Sequence, residues 1–319
     1  MPMEKTFVSQ LALNQEVISC FLVSRKEVKS KKNGGDYLFL DLSDKTGHIS
    51  AFLWENVEEY LEAFHAGDYV KVKGLVREYN NRLQLTLHKI KKVDDSEVDP
   101  ADFLPVSGKD VDAQYQELLD QISQFTHPYL RELLQTIMTD ARVTERFKRA
   151  PAAKRMHHAY IGGLLDHTLS LIRMCRLAAG NYPNLQVDML IAGAALHDIG
   201  KIEELTYAKS FDYTTEGRLL GHIVMEVVYV NQVVNQIAGF PEDLRLQLLH
   251  LLVAHHGKVE FGSPKVPMTL EALVLHYLDD LDSKIEVMTS LSADETIGDS
   301  DWTGYNQMLE RYVYRRRIQ

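Results

Sequence analysis

Between Val17 and Lys92 apolar and polar residues alternate, the two-residue period of strands that bury one face. The run "VISCFLVSRKEVKS" is followed by "KKNGGDYLFLDLSDKTGHISAFLWE", with turn signals at Asn33-Gly34-Gly35 and Asp44-Lys45-Thr46-Gly47. A short amphipathic piece, "NVEEYLEAFHAGD", leads into "YVKVKGLVREYNNRLQLTLHKIKKV", two more strands joined across Tyr79-Asn80-Asn81. The pattern changes beyond Tyr115. "YQELLDQISQF", "YLRELLQTIM", "GGLLDHTLSLIRMCRLAAG", "VDMLIAGAALHDIGK", "GRLLGHIVMEVVYVNQVVNQIAG", "EDLRLQLLHLLVAHHG" and "TLEALVLHYLDDLDSKIEVMTSL" all repeat apolar residues at spacings of three and four, the period of helices. Several stop at Gly, the preferred residue just past a helix end.

Between the two patterns lies "VDDSEVDPADFLPVSGKDVDA", acidic, proline-containing and aperiodic. The chain is therefore expected to be multidomain α+β, with an N-terminal β-domain over 1–92, an acidic linker over 93–113 and a C-terminal all-α bundle over 114–319. Five strands with a helical piece between the third and fourth is the layout of an OB-fold barrel. "YLFLDLSDKTGHISAFLW", "GDYVKVKG" and "LQLTL" resemble OB-folds of the tRNA-anticodon-binding type.

Length and composition agree with two soluble globular domains: 319 residues, 45% hydrophobic and 25% charged. No apolar run is long enough to span a bilayer, so no membrane partner is expected. The start "MPMEKTFVSQLALNQEV" lacks the basic opening and apolar centre of a secretory signal, and Cys20 and Cys175 make no disulfide framework, so the expected location is cytoplasmic. The net charge of -10 conceals an asymmetry: residues 1–92 carry 14 Lys+Arg against 12 Asp+Glu, and the remaining 227 carry 21 against 33. An acidic domain suits bound divalent cations, which cancel part of its charge.

The helices supply a candidate for such a site. His167, the pair His197-Asp198, His222, the pair His255-His256 and Asp279 each interrupt an otherwise apolar segment. One such histidine alone is an ordinary hydrogen-bonded core residue. Burying all of them unpartnered would cost several kcal/mol each, and shared divalent cations remove that cost. Neutral imidazole and carboxylate suit Mn, Fe, Zn or Ni.

In chain order this set, H…HD…H…HH…D, resembles the HD superfamily of metal-dependent phosphohydrolases. The resemblance implies a first metal on His167, His197, Asp198 and Asp279. A second is implied on His222, His255 and His256, with Asp198 bridging the two. Asp282, three residues beyond Asp279 and near the same helical face, is an alternative ligand; His276 is expected to orient ligands. Paired metals about 3.5–4 Å apart clamp the attacking and leaving oxygens of a phosphodiester. Lys201, one turn after His197, is placed to neutralise charge developing on the phosphate. Upstream, "APAAKRMHHAYIGGLLDH" gathers Lys154, Arg155 and His158 as candidate contacts for a phosphate-bearing substrate, His158 being covered by the resemblance.

Lys31 and Lys32 lie at the first turn of the β-domain among other basic residues. Tyr37, Phe39, Phe52, Trp54 and Tyr79 are interleaved with them, and a basic groove with aromatic platforms is how OB-folds take single strands. About half of these rings are expected to fill the barrel, with Tyr37 and Tyr79, near turns, exposed. An OB-fold joined to a two-metal HD domain resembles the YhaM-type 3′→5′ exoribonuclease family over nearly the whole chain, including "HHAYIGGLLDHTLSLI", "ALHDIGKI" and "HYLDDLDSK". The resemblance implies release of 5′-mononucleotides from single-stranded RNA with two divalent metals per chain. Mn is the first choice among Mn, Fe, Ni, Co and Zn. Single-stranded DNA stays open as a further substrate, and so does self-association. A nucleotide or cyclic-dinucleotide phosphohydrolase, or a non-catalytic nucleic-acid-binding regulator on a metal-stabilised scaffold, are the alternatives.

Overall fold

The structure, a computed structural model, describes residues 5–31, 34–79, 82–154, 158–207, 209, 211–293 and 300–316. The chain divides into two compact units, residues 1–106 with 208–210, and residues 107–207 with 211–319.

The first unit is a closed five-stranded barrel in the order β1-β2-β3-β5-β4. Its strands are β1 (Glu16–Ser30), β2 (Asp36–Asp44), β3 (Gly47–Leu53), β4 (Tyr69–Tyr79) and β5 (Arg82–Lys92). β1 pairs with β4 through residues 16–22 and with β2 through residues 22–30, and a bulge at Val23/Arg25 bends it between the two partners. The parallel pairing of β3 with β5 closes the barrel. Phe21, Leu38, Leu40, Leu42, Ala51, Val72 and Leu85 fill its interior. The amphipathic segment between β3 and β4 forms a 3-10 turn, Val57–Tyr60, with Val57 as its buried anchor.

Residues 93–106 depart from the linker expected over 93–113. Val93, Phe103 and Leu104 are buried, and the Phe103 ring lies 4.6 Å from that of Tyr69. Scattered apolar residues in an acidic stretch leave no periodicity, yet Val93 and Phe103 pack with Leu22 and Tyr69 of the barrel. Residues 107–113 belong to the second unit.

The second unit is helical: α1 (Val111–Ser123), α2 (Pro128–Met138), α3 (Ala141–Arg149), α4 (Gly163–Asn181), α5 (Val187–Leu196), α6 (Lys201–Glu204), α7 (Thr215–Val234), α8 (Glu242–Ala254) and α9 (Leu270–Ala293). A two-stranded hairpin, β6 (Leu205–Thr206) and β7 (Asp212–Tyr213), sits between α6 and α7. The sequence pattern did not single out α3, although Asp140 caps it by accepting from the backbone N–H groups of Arg142 and Val143. From Met189 to Leu196 every residue of α5 is buried, as in a helix surrounded by others. Cys20 and Cys175 lie in different units and are both free. Among the described residues no helix is long and apolar enough to cross a membrane.

Candidate metal centre

Five helices deliver polar side chains to one place. α4 brings His167, the end of α5 brings His197 and Asp198, α7 brings His222, the end of α8 brings His255 and His256, and α9 brings Asp279. His167 Nε2 lies 3.2 Å from His197 Nε2 and 3.2 Å from Asp279 Oδ1. Asp198 faces both ways. Its Oδ2 is 3.4 Å from His197 Nε2 and 3.8 Å from His167 Nε2, while its Oδ1 is 3.6 Å from His222 Nε2. The rings of His222, His255 and His256 follow, with centroids 4.3 to 5.7 Å apart. His167, His197 and Asp279 can offer ligand atoms to one ion, and so can His222, His255 and His256.

The opposite ring nitrogens are fixed by acceptors. His167 Nδ1 donates to Asp282 Oδ2 at 2.7 Å, His197 Nδ1 to the Ala194 carbonyl at 3.0 Å, His222 Nδ1 to Glu204 Oε1 at 3.1 Å and His255 Nδ1 to the Leu252 carbonyl at 2.7 Å. Carbonyls and carboxylates only accept, so each Nδ1 carries a proton and each Nε2 faces the cluster, where it can give a lone pair to a metal once it is free of its own proton. Asp198 Oδ1, His222 Nε2 and His255 Nε2 are buried with no hydrogen-bond partner. Each such atom costs about 1–3 kcal/mol if left unmatched. Inward lone pairs and orphaned carboxylate oxygen are the donor set divalent metals take, so the residues fit the group.

Charge is balanced within the cluster. Burial disfavours a charged His167 ring, but hydrogen bonds to Asp279 and Asp282 outweigh it and raise its pKa to about 10. Burial opposes ionised Asp198, yet Lys201 and His197 hold it well below the carboxylate range. Lys201 Nζ donates to Asp198 Oδ2 at 2.7 Å, and that pairing raises the buried ammonium's pKa against its desolvation. Burial, together with the neighbouring His256 and His197 rings, lowers His255 well below the ordinary range.

Two glycines permit this approach. A Cβ at Gly200 would lie 2.3 Å from the His222 carbonyl oxygen, so only glycine lets "HDIGK" run against α7. Gly221, at φ 72° and ψ 155°, breaks α7 just before His222. The break frees the His222 N–H, which donates to Glu204 Oε1 at 2.9 Å.

Asp282, His276 and His158 each have defined partners, and His158, His167 and Asp282 form a third group that could offer ligand atoms to one ion. Asp282 faces His167 Nδ1, on the far side of the ring from the cluster, and also accepts from Ser170 Oγ at 2.5 Å. His276 Nδ1 donates to the His255 carbonyl at 2.9 Å, as an orienting residue would. His158 is buried, with Nε2 3.0 Å from Asp282 and Nδ1 2.9 Å from the Tyr160 hydroxyl. Both its ring nitrogens are thus engaged within the chain. Lys154 Nζ is paired with Asp212 at 2.7 Å, and Arg155 lies outside the described residues. Glu204 and Glu226 were missed. Glu226 is fully buried, its carboxyl 3.7 Å from His255 Nδ1, and burial raises its pKa well above the ordinary value. Its signal was a place one turn after His222 on the same helix.

On the barrel, none of the five aromatic rings enters the core, a correction to the expectation that about half would. Leu38, Leu40 and Leu42 point inward, leaving Tyr37 and Phe39 on the outer face of β2 beside Phe52 and Trp54 on and just beyond β3. Tyr37 is half-buried because it stacks on Trp54 at 4.8 Å, and Phe52 stacks on Trp54 at 5.8 Å and 10°. Lys29 Nζ lies 4.3 Å above the Phe39 ring, the Arg25 guanidinium is 5.9 Å from it, and Lys31 Nζ donates to the Trp54 carbonyl at 2.6 Å. Tyr79, at the end of β4, is 66% exposed. Lys32 lies outside the described residues.

Residues 23–93 match the family described as OB-fold nucleic acid binding domain, and residues 164–284 match the HD domain family. The chain is 34% identical over 275 residues to the 3′-5′ exoribonuclease YhaM of Bacillus subtilis, covering 86% of this chain and 87% of the relative. It is 34% identical over 277 residues to the protein of the same name from Bacillus velezensis, with the same coverage. Among solved structures, the second OB-fold domain of replication protein A from Methanococcus maripaludis aligns with 28% of this chain and 96% of its own, at 24% identity and a TM-score of 0.24. With its barrel, its HD-domain helices and relatives alike over most of its length, the chain belongs to the YhaM-type 3′→5′ exoribonuclease family.

Proposed function

We propose that this protein is a metal-dependent 3′→5′ exoribonuclease that takes single-stranded RNA and releases 5′-mononucleotides. The observation that carries the reading is Asp198, whose two oxygens face two separate groups of inward-turned histidines. His167, His197, Asp198 and Asp279 would hold one divalent ion; His222, His255 and His256 would hold the other, with Asp198 shared. Mn is the metal to test first, and Fe, Co, Ni and Zn suit the same donors. Bound there, the ions supply Lewis-acid polarisation of the scissile phosphate and of the attacking water.

The chain's own groups do the rest. Asp282, Glu204 and the Ala194 and Leu252 carbonyls hold the four ring tautomers, so no ligand has to reorient during the reaction. Lys201 stays protonated beside Asp198 and supplies positive charge where negative charge grows on the phosphate. The ladder of Tyr37, Phe39, Phe52 and Trp54, flanked by Arg25 and Lys29, gives bases a stacking surface and phosphates a cationic edge. The strands 2 and 3 face, where the ladder stands, is the one OB-folds use for oligonucleotides.

The deciding assay is 5′-labelled single-stranded RNA incubated with protein and Mn, beside free nucleotides and cyclic dinucleotides. Progressive shortening from the 3′ end with 5′-mononucleotide as product is the expected result. Turnover of the small nucleotides alone would replace this reading with the nucleotide phosphohydrolase.

A further inference from the structure

The last described segment, residues 300–316, lies beyond both matched domains and has a form of its own. It folds back on itself: Trp302 pairs with Tyr314 and Asn306 with Arg311, both antiparallel, and the Thr303 N–H donates to the Val313 carbonyl at 3.0 Å. Leu309 and Val313 are buried against Val287, in the last turns of α9. The segment is therefore a packed hairpin rather than a loose tail.

Its residues sort by type. The aliphatic side chains go inward, whereas Trp302, Tyr305, Tyr312 and Tyr314 stay 51% to 60% exposed. They stand as two pairs, with centroids 5.0 Å apart for Trp302 and Tyr314 and 5.4 Å for Tyr305 and Tyr312. Four large rings left in water need a reason, since burial would stabilise each by about 1.5–3 kcal/mol. The charge of the segment is also unlike its surroundings. Residues 300–316 hold three arginines against two acids, one of which, Asp301, pairs with Arg316, whereas residues 93–299 hold 17 Lys+Arg against 31 Asp+Glu. A basic, aromatic surface on an acidic body suits a polyanion with flat faces: stacking takes the bases, and guanidinium takes phosphate or stacks in turn.

We propose that this hairpin is a second contact for single-stranded nucleic acid, with Trp302, Tyr305, Tyr312 and Tyr314 as stacking platforms and Arg311, Arg315 and Arg316 as its cationic edge. It docks beside Val287, eight residues beyond Asp279 on the same helix, or about 12 Å along the axis. Nucleotides upstream of a 3′ end held at the metal centre are the part of a strand it would meet, a placement that rests on the nuclease reading; the binding itself does not.

The test uses the full chain with Tyr305→Ser/Tyr312→Ser, and separately Trp302→Ser with Arg311→Gln. All four side chains are exposed, so folding is expected to survive, as circular dichroism would verify. Affinity for a fluorescent oligouridylate is read by anisotropy, alongside hydrolysis of a dinucleotide with Mn and the mass of the protein in solution. Each variant is expected to bind the oligonucleotide about five- to a hundredfold more weakly, with dinucleotide turnover unchanged. Weaker binding by the variants, beside a wild-type protein that proves to have no nuclease activity, would still support the hairpin contact while removing the nuclease reading. Unchanged oligonucleotide affinity in both variants would overturn the proposal. If affinity is unchanged and the mass falls, the face belongs to a second copy of the chain.

Discussion

His167 and Asp282 are fixed as a pair: Nδ1 of the ring donates to Oδ2 at 2.7 Å, while Nε2 stands 3.2 Å from Asp279 Oδ1 on the other side. Two carboxylates on one helix thus address the two nitrogens of one imidazole, one as a candidate ligand and one as its support.

Asp282→Asn removes the charge behind His167 while keeping an acceptor of the same shape. Metal affinity at the first position should fall about 10- to 100-fold, and excess Mn should restore activity. Calorimetric metal titration of both proteins decides it; superimposable isotherms would mean Asp282 contributes only packing.

Asp198→Asn should abolish hydrolysis and leave RNA binding largely intact. The amide cannot supply charge to both histidine groups, whereas the barrel proposed to take the RNA is a separate unit. Activity at a tenth or more of wild type with metal in excess would exclude a bridging role.

His222→Ala should cost the second ion and spare the first, halving the metal content of purified protein. Gly200→Ala should do the same by a different route, because its Cβ would push on the His222 carbonyl. Elemental analysis giving equal content in all three proteins would reduce the site to one metal.

How much of this was legible depends on what each signal encodes. The ligands stood out because an ionisable residue on an apolar helix is costly unless matched, and His167 and the His197-Asp198 pair come from separate helices to one place. Their supports were harder to see. Glu204 reaches His222 only because Gly200 lets two segments touch, and no local pattern carries that contact. In "DYLFLDLSD" both phases are apolar, so alternation alone left the buried face undecided; Asp41, in phase with Tyr37 and Phe39, carried the answer. Phe103 was overlooked because a single anchor has no period.

The barrel ladder allows stacking and charge to be separated. Tyr37→Ala/Trp54→Ala removes the 4.8 Å stack without altering net charge, so it should weaken binding of long single-stranded RNA at every salt concentration and leave the salt slope as it was. Lys29→Gln and Arg25→Gln remove cations beside Phe39. For single strands the slope of log affinity against log salt is about -0.7 per phosphate contact, so each of these should flatten the slope by about that much. Dinucleotide hydrolysis should be unaffected in all of them, because the candidate ligands lie in the other unit. Anisotropy titrations of one labelled strand across a salt series, beside dinucleotide turnover, check the whole pattern. If the aromatic variant flattens the slope and the charge variants do not, the rings act by positioning Lys29 and Arg25 rather than by taking bases.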